Sequence, residues 1–391
     1  MDALITSHEA ESIVRNACSR LGAEAVPLTH AFERVLAEPL VADRPLPPYP
    51  RAMMDGIAFR METYGGASLL RRAGLHAAGD PPPRPLQAGE GWEIMTGAAV
   101  PHDCDTVVPY EELDERDGGY VITEAPERGQ CIHPIGLDAA AGDVLVPAGS
   151  RLGPAEIAIA ASVGAAGLDV FKRARVAVLT TGDEAVPHDQ MPEDWQIRRS
   201  NGLMLAAALT ACGHAPVVME HVADDGREAE LVIDRLLASC DVLLLCGGIS
   251  RGKRDHVRAW IEDRLGAPAF HGVKQRPGKP MAFWPGAPLV FALPGNPVSV
   301  LATFTRYVRP ALVAIEGCPP VPARVPIEGV KHLPEFTWLL PVAIGGDGSY
   351  VARPPKNSGD FVSLAGSIAI AEIPPSTEAP SAPMFALYPF A

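Results

Sequence analysis

Cysteine ligand frameworks are missing from this chain. Its 7 cysteines (Cys18, Cys104, Cys131, Cys212, Cys240, Cys246 and Cys318) are scattered and include no C-x-x-C pair. That excludes a zinc cage or a disulfide scaffold and fits a reducing compartment. Positive charge is also scarce, with 33 Lys and Arg against 47 Asp and Glu, a net charge of −14. A broad nucleic-acid or anionic-membrane surface is excluded, although an anionic small molecule in a locally basic cleft is not. The longest weakly polar run, 157–168, is too short and too rich in Ala and Gly to span a bilayer. Residues 1–9 are acidic and contain no apolar signal region. A cytoplasmic location is therefore expected. No G-x-G-x-x-G fingerprint follows a predicted strand, and serine-hydrolase chemistry is not expected.

What is present suits two to four well-cored domains: 391 residues, 20% charged and 47% apolar. Thr6 and Glu9 form a capping box for a helix carrying Ile13, Ala17 and Leu21, which Gly22 can close. A second short helix is expected over 31–37. Pro45, Pro47, Pro48 and Pro50 predict a stiff, extended link leading into Met54-Asp55-Gly56. Residues 57–142 read as β-rich, with strands near 92–95, 106–109 and 120–123. An Ala-rich helix is expected over 154–163. From Arg175 strands and helices alternate, predicting a three-layer α/β domain that ends in a long helix reaching Ile315. Pro319, Pro320 and Pro322 mark a boundary before a small C-terminal β-barrel or sandwich, with a last paired strand over 384–390.

One stretch organises the rest. Val242 to Cys246 is an unbroken apolar run, the mark of a strand buried on both faces of a parallel sheet. Gly247 and Gly248 follow, then Ser250, Arg251, Lys253, Arg254 and Asp255. The C-terminal ends of such strands are where open α/β sheets bind ligands. Other strands end in Asp183-Glu184, Asp224-Asp225 and Pro294 to Ser299, and a parallel sheet would bring these ends to one edge. Carboxylates there suit Mg²⁺, which is commonly shared with substrate phosphates. Lys274, Arg276 and Lys279 lie on a loop stiffened by Pro and Gly and suit a phosphate or another oxyanion. Helix caps and a solvated loop are the plainer alternatives for these groups. Gly247 to Lys253 fits the first part of a Walker loop, but Arg254 stands where a Ser or Thr must hold the metal.

At these residues the chain resembles the molybdopterin molybdenumtransferase family, which includes bacterial MoeA and the gephyrin E domain. The motifs are Met54-Asp55-Gly56, Ile94-Met95-Thr96-Gly97-Ala98 with Pro101, Thr181-Gly182-Asp183-Glu184, Ser200-Asn201 and Asp224-Asp225. They continue with Gly247-Gly248-Ile249-Ser250 plus Gly252 and Asp255, Arg276-Pro277-Gly278-Lys279-Pro280, Pro294-Gly295-Asn296-Pro297-Val298-Ser299 and Ser358-Gly359-Asp360. They run in family order over nearly the whole chain.

The resemblance implies a multidomain α/β and β protein with four domains. A Mog-like three-layer α/β/α domain would span 3–22 and 174–320, and an elongated linking domain 23–41 and 143–173. A β-rich inserted domain would span 42–142, and a C-terminal β-barrel-like domain 321–391. It implies a homodimer whose site lies between one subunit's α/β domain and the partner's Asp55/Thr96 domain. The implied reaction inserts molybdate into adenylylated molybdopterin with Mg²⁺ and releases AMP. The implied catalytic group is Asp55, Thr96, Asp138, Glu184, Asp224 and Asp255, with Glu184, Asp224 and Asp255 on the metal. Gly247, Gly248, Ser250, Arg276, Lys279, Pro294, Asn296, Pro297 and Ser299 would bind substrate. A molybdopterin adenylyltransferase and acceptor molybdoenzymes are the implied partners.

The chain departs from the family pattern at Pro50 and Ala52, where Asp and Ser are usual, and at Ile57, where Tyr is usual. Around His133 to Asp138 an arginine and a glutamate are replaced, with Leu137 before Asp138, and Arg199 stands where Asp is usual. A non-catalytic carrier of molybdopterin or finished cofactor is the rival these departures raise. A nucleotide pyrophosphatase on the same α/β domain is a third reading.

Overall fold

A computed structural model describes residues 4–66, 69–223, 227–248, 256–318, 321–376 and 384–390. They fall into two compact units, one of 1–25, 33–35 and 169–391, the other of 26–32 and 36–168.

The first unit is built on a six-stranded sheet in the order Pro216–Val222, Val176–Thr181, Val242–Cys246, Leu289–Leu293, Ala282–Trp284, Phe270–His271. The first four strands are parallel, Ala282–Trp284 runs antiparallel to them, and Phe270–His271, antiparallel to Ala282–Trp284, runs with the first four. Alternate side chains enter opposite layers, as the two-residue period of a strand requires. Val176, Val178, Leu244 and Phe291 pack in one cluster with Leu205, Leu209, Leu312 and Val14. Ala177, Leu179, Leu243 and Leu245 pack in the other with Ile233, Leu236 and Ile261. Helices thus cover both faces, which is why Val242–Cys246 is apolar at every position.

The helix at Ser7–Ala17 opens with the expected capping box: Glu9 N–H donates to Thr6 Oγ1 at 3.2 Å, and Thr6 N–H donates to Glu9 Oε2 at 2.7 Å. It stops at Ala17, short of Gly22. Helix Pro297–Ile315 is long and apolar enough to cross a membrane by length and composition, but 72% of it is buried inside the fold. It is the core helix of the α/β layers, with a five-residue π segment at Phe304–Val308.

The β domain expected after Pro320 is a second six-stranded sheet, ordered Gln275–Arg276, Thr337–Ile344, Ala369–Ile373, Met384–Pro389, Ala323–Pro326, with Tyr350–Ala352 paired on Thr337–Ile344. Gln275–Arg276 is contributed by the α/β half and runs parallel to Thr337–Ile344. A buried ion network fastens the two halves. Arg306, 2% exposed, donates to Glu372 Oε2 at 2.9 Å and to Glu11 Oε2 at 2.7 Å. Its guanidinium lies over the rings of Tyr307 and Tyr388.

The second unit holds a sheet ordered Thr106–Pro109, Gly56–Phe59, Glu90–Ile94, Leu70–His76, Gly119–Ile122, Leu113–Arg116. Helix Pro154–Ser162 lies where the Ala-rich run placed it. Two expectations fail. Residues 31–37 are not helical. A 3-10 turn at Leu28–His30 precedes them, Glu33 has φ 61°, and Val35 and Leu36 are buried at 0% and 2%. Leu36 N–H donates to Ser150 O, so tertiary bonding takes the backbone out of the helix. The proline link is not extended throughout, because Pro47 to Tyr49 bend. Asp138 N–H to Leu46 O and Gly136 N–H to Pro47 O hold that path.

Removing Arg306 leaves Glu372 and Glu11 beside an apolar core without their cation. Arg306→Met is expected to destabilise the protein by about 3 kcal/mol, and Arg306→Met with Glu372→Met by clearly less. Urea unfolding midpoints check this; equal losses in both variants would contradict it.

Candidate functional site

Parallel register sets the first half of the site. Thr180 lies opposite Cys246, and Cys246 opposite Leu293, so these strands end together. Beyond their ends is a cavity of about 530 Å³ lined by Thr181, Gly182, Glu184, Arg199, Asn201, His221, Gly247, Gly248, Pro294, Asn296 and Pro297 among others. Gly247 (φ 96°) and Gly248 (φ 64°) need to be glycine twice over. A Cβ at Gly247 would meet Thr181 Oγ1 at 2.9 Å, and one at Gly248 would meet Val257 Cβ at 3.1 Å.

Polar groups in the cavity have defined partners or defined gaps. His221 Nε2 faces Gly182 O at 3.1 Å and Nδ1 faces Thr180 Oγ1 at 2.9 Å. A neutral ring with the proton on Nε2 satisfies both contacts. Asn201 Nδ2 donates to Gly295 O at 2.7 Å. Asn201 Oδ1 and Thr181 Oγ1 are buried with no hydrogen-bond partner among the described residues. Together with the exposed Glu184 carboxylate they make an oxygen donor set of the kind hard cations take. Burial pushes the Cys246 thiol up to about 12, so it is no nucleophile here.

Some expected residues stand beside this cavity rather than in it. Arg276 and Lys279 are exposed and converge on the Phe336 ring, at 5.0 and 6.0 Å from its centre. Their loop is pinned by buried Gln275, whose Nε2 donates to Gly278 O at 3.0 Å, and by Tyr307 OH donating to Gln275 Oε1 at 2.5 Å. Pro280, next to Lys279, does line the cavity. Ser299 is 3% exposed in the first turn of Pro297–Thr303 and does not line it. Asn296 Nδ2 donates to Ser358 Oγ at 2.8 Å, tying the Ser358-Gly359-Asp360 motif to the cavity wall. Asp224, Ser250 and Asp255 lie outside the described residues. Sequence reasoning missed that Gly248-Ile249-Ser250-Arg251-Gly252 carries the G-x-S-x-G spacing of a nucleophile elbow. Ile249 to Gly252 also lie outside the described residues. Among the described residues no group of three or more metal-ligating His, Cys, Asp or Glu is found.

The second unit assembles the other motif group. Asp55 is exposed at the start of strand Gly56–Phe59, and its Oδ1 accepts from Thr96 N–H and Thr96 Oγ1–H, both at 2.6 Å. Gly56 permits the strand to pass, since a Cβ there would lie 1.9 Å from Val108 O. Ala52 N–H donates to Ala98 O, Gly97 N–H to Ala52 O, and Met53 N–H to Cys131 O. The stretches around residues 52, 97 and 131 are thereby stitched together. Asp138 accepts from or pairs with His133 Nε2 at 2.9 Å. The departures sort differently in space: Ile57 (0% exposed) and Ala52 (1%) are core residues, whereas His133 contacts Asp138 directly.

The Thr96 hydroxyl, first, and its amide hold the Asp55 carboxyl below its ordinary value. The folded value lies under the unfolded one, so this contribution to stability is present above the unfolded pKa and fades as pH falls through the folded one. Thr96→Val removes the hydroxyl bond and keeps the amide bond. The Asp55 pKa, read by NMR titration, is expected to rise part of the way back; an unchanged value would contradict the assignment.

Comparison with known proteins agrees with this layout. Residues 5–164 match the family model for the MoeA N-terminal region (domain I and II), and residues 177–314 that for a probable molybdopterin binding domain. The chain is 34% identical to the molybdopterin molybdenumtransferase of Synechocystis sp. over 95% of its own length and 96% of that protein's. It is 32% identical to that of Nostoc sp. over 91% and 86%. A crystal structure of the molybdopterin biosynthesis moea protein from Pyrococcus horikosii superposes with a TM-score of 0.80 at 29% identity, covering 100% of both chains. On the shared motifs, the fold and this identity along nearly its full length, the chain belongs to the molybdopterin molybdenumtransferase family.

Proposed function

We propose that the protein is the enzyme that inserts molybdate into adenylylated molybdopterin, with Mg²⁺, releasing AMP and molybdenum cofactor. The observation that carries this is the single cavity shared by Glu184, the Gly247-Gly248 turn and Pro294 to Pro297, stretches far apart in sequence. The side-chain-free backbone of the glycine turn and the cation at Arg199 suit the approach of phosphate oxygens. Glu184, Thr181 Oγ1 and Asn201 Oδ1 fit Mg²⁺ in donor chemistry, and Asp224 and Asp255 are the further ligands in this reading. Mg²⁺, when bound, supplies charge neutralisation at the phosphoanhydride. The protein's own groups orient that bond so that a water oxygen adds to the pterin-side phosphorus and AMP leaves with the bridging oxygen, while molybdate exchanges oxide, lost as water, for the two sulfurs of the pterin. Arg276 and Lys279 attract the molybdate dianion, and Asp55, kept ionised by Thr96, and Asp138 accept protons and hydrogen bonds.

In this reading the protein works in the cytoplasm as a homodimer, with the partner's Asp55/Thr96 surface completing each cavity. Supporting it, Met53 (55% exposed) and Met54 (41%) precede Asp55, and Ile135 (53%) and Leu137 (65%) precede Asp138. Exposed apolar side chains around a polar site suit a covered surface. The four-domain division at 23–41 with 143–173, 42–142, 3–22 with 174–320, and 321–391 belongs to the same proposal. So do handover from a molybdopterin adenylyltransferase and delivery to acceptor molybdoenzymes.

Purified protein mixed with adenylylated molybdopterin, molybdate and Mg²⁺ is expected to release AMP and to reconstitute an apo-molybdoenzyme. Metal chelation should stop both, and Asp55→Asn or Glu184→Gln should slow turnover by about 10²-fold or more. Neither AMP nor active cofactor from the wild type would overturn the proposal. Tight pterin binding without turnover, indifferent to Asp55→Asn, would favour the carrier instead. Turnover of ordinary nucleotide diphosphates without pterin would favour the pyrophosphatase.

A further inference from the structure

Arg199 is held in an unusual setting. Its backbone N–H donates to Val186 O at 2.8 Å and its Nε to Ala185 O at 2.9 Å. That fixes one edge of the guanidinium on the short parallel pair Ala185–Val186 with Ile197–Arg198. The two terminal amino groups are not engaged in an ion pair with any described carboxylate. Arg199 lines the 530 Å³ cavity and also a contiguous one of about 200 Å³ formed with Pro187, His188, Leu203 and Glu220. Glu220 is itself taken by Arg235 at 2.5 Å. Partial burial lowers the Arg199 pKa, the sign of a cation losing water without gaining an acid.

The charge balance of the lining is also unlike the whole chain. The charged described residues facing the main cavity are Arg198, Arg199 and Glu184, in a protein of net charge −14. A partly desolvated guanidinium whose Nε is spent on Ala185 O and whose terminal amino groups meet no described carboxylate is matched by a pair of phosphate oxygens, which restore the lost hydration in bidentate geometry. Arg198 is exposed, and its Nε is spent on Gln190 O at 3.1 Å, so it contributes field rather than grip.

We propose that Arg199 is a substrate-binding residue whose terminal amino groups grip the phosphoanhydride or phosphate of the ligand held in the strand-end cavity. Arg199 is one of the positions at which this chain departs from its family pattern, so the assignment concerns this protein in particular. It deepens the proposed function, resting on the reading that the cavity receives a phosphorylated substrate.

The probe is inorganic pyrophosphate, titrated calorimetrically into the full-length protein without metal or pterin. Wild type is expected to bind it. Arg199→Gln should weaken binding by about tenfold or more, and Arg199→Lys should restore part of the loss, since a point charge replaces the fork. Thermal melts report whether each variant is folded, and Arg198→Gln is the neighbouring control, expected to lose less than Arg199→Gln. Unchanged affinity in folded Arg199→Gln, an equal loss in Arg198→Gln, or no binding by wild type would each overturn the assignment. Failure here with molybdenum insertion intact would leave the function standing without Arg199. Loss of pyrophosphate binding in Arg199→Gln, in a protein that inserts no molybdenum, would support the grip and remove the function.

Discussion

The parallel pairing of Val176–Thr181 with Val242–Cys246 is the constraint on which the site depends. It places Thr180 beside Cys246 and so aligns the points at which the two strands leave the sheet. Thr181 and Gly247 then approach so closely that any side chain on the glycine would strike the threonine hydroxyl. Ligand space opens there because the strands stop in register, and helices Asn201–Ala211 and Pro297–Thr303 begin on its walls. Apolar burial on both faces stiffens this edge, since Leu243, Leu244 and Leu245 are 0 to 1% exposed.

A second rigid frame serves the other motif group. Asp55 is fixed by two short bonds from one residue, Thr96, while the strand that follows it passes Val108 only because position 56 is glycine. An exposed carboxylate locked in this way stays charged and aimed, which a mobile surface aspartate does not. In the α/β unit the buried Arg306 network has a comparable role at larger scale. It joins the first helix, the π segment and the C-terminal sheet through Glu11 and Glu372. Gln275 continues the theme by anchoring the Arg276–Lys279 loop from inside the core.

Much of this was legible in the sequence where a local rule and the tertiary fold agree. The apolar run before Gly247, the Thr6/Glu9 capping box and the long helix after Pro297 each combine periodicity with a recognised boundary residue. Helix prediction over 31–37 failed because Val35 and Leu36 bond to distant backbone, which no local pattern reports. Insertion of Gln275–Arg276 into the C-terminal sheet was invisible for the same reason. Glu184, the glycine pair and the Pro294 stretch were expected together and do line one cavity. Ser299 was carried by its motif but turns into the core. Arg199 looked like a mere departure from a pattern; only its place in the cavity gives it chemistry.

The central proposal is that the strand-end cavity of one subunit and the Asp55/Thr96 frame of its twin make one working site. Mixing two inactive variants tests it most directly. Asp55→Asn protein combined with Glu184→Gln protein, after subunit exchange, should recover about one quarter of wild-type AMP release, because only mixed dimers hold one intact site. No recovery after demonstrated exchange would contradict a shared site.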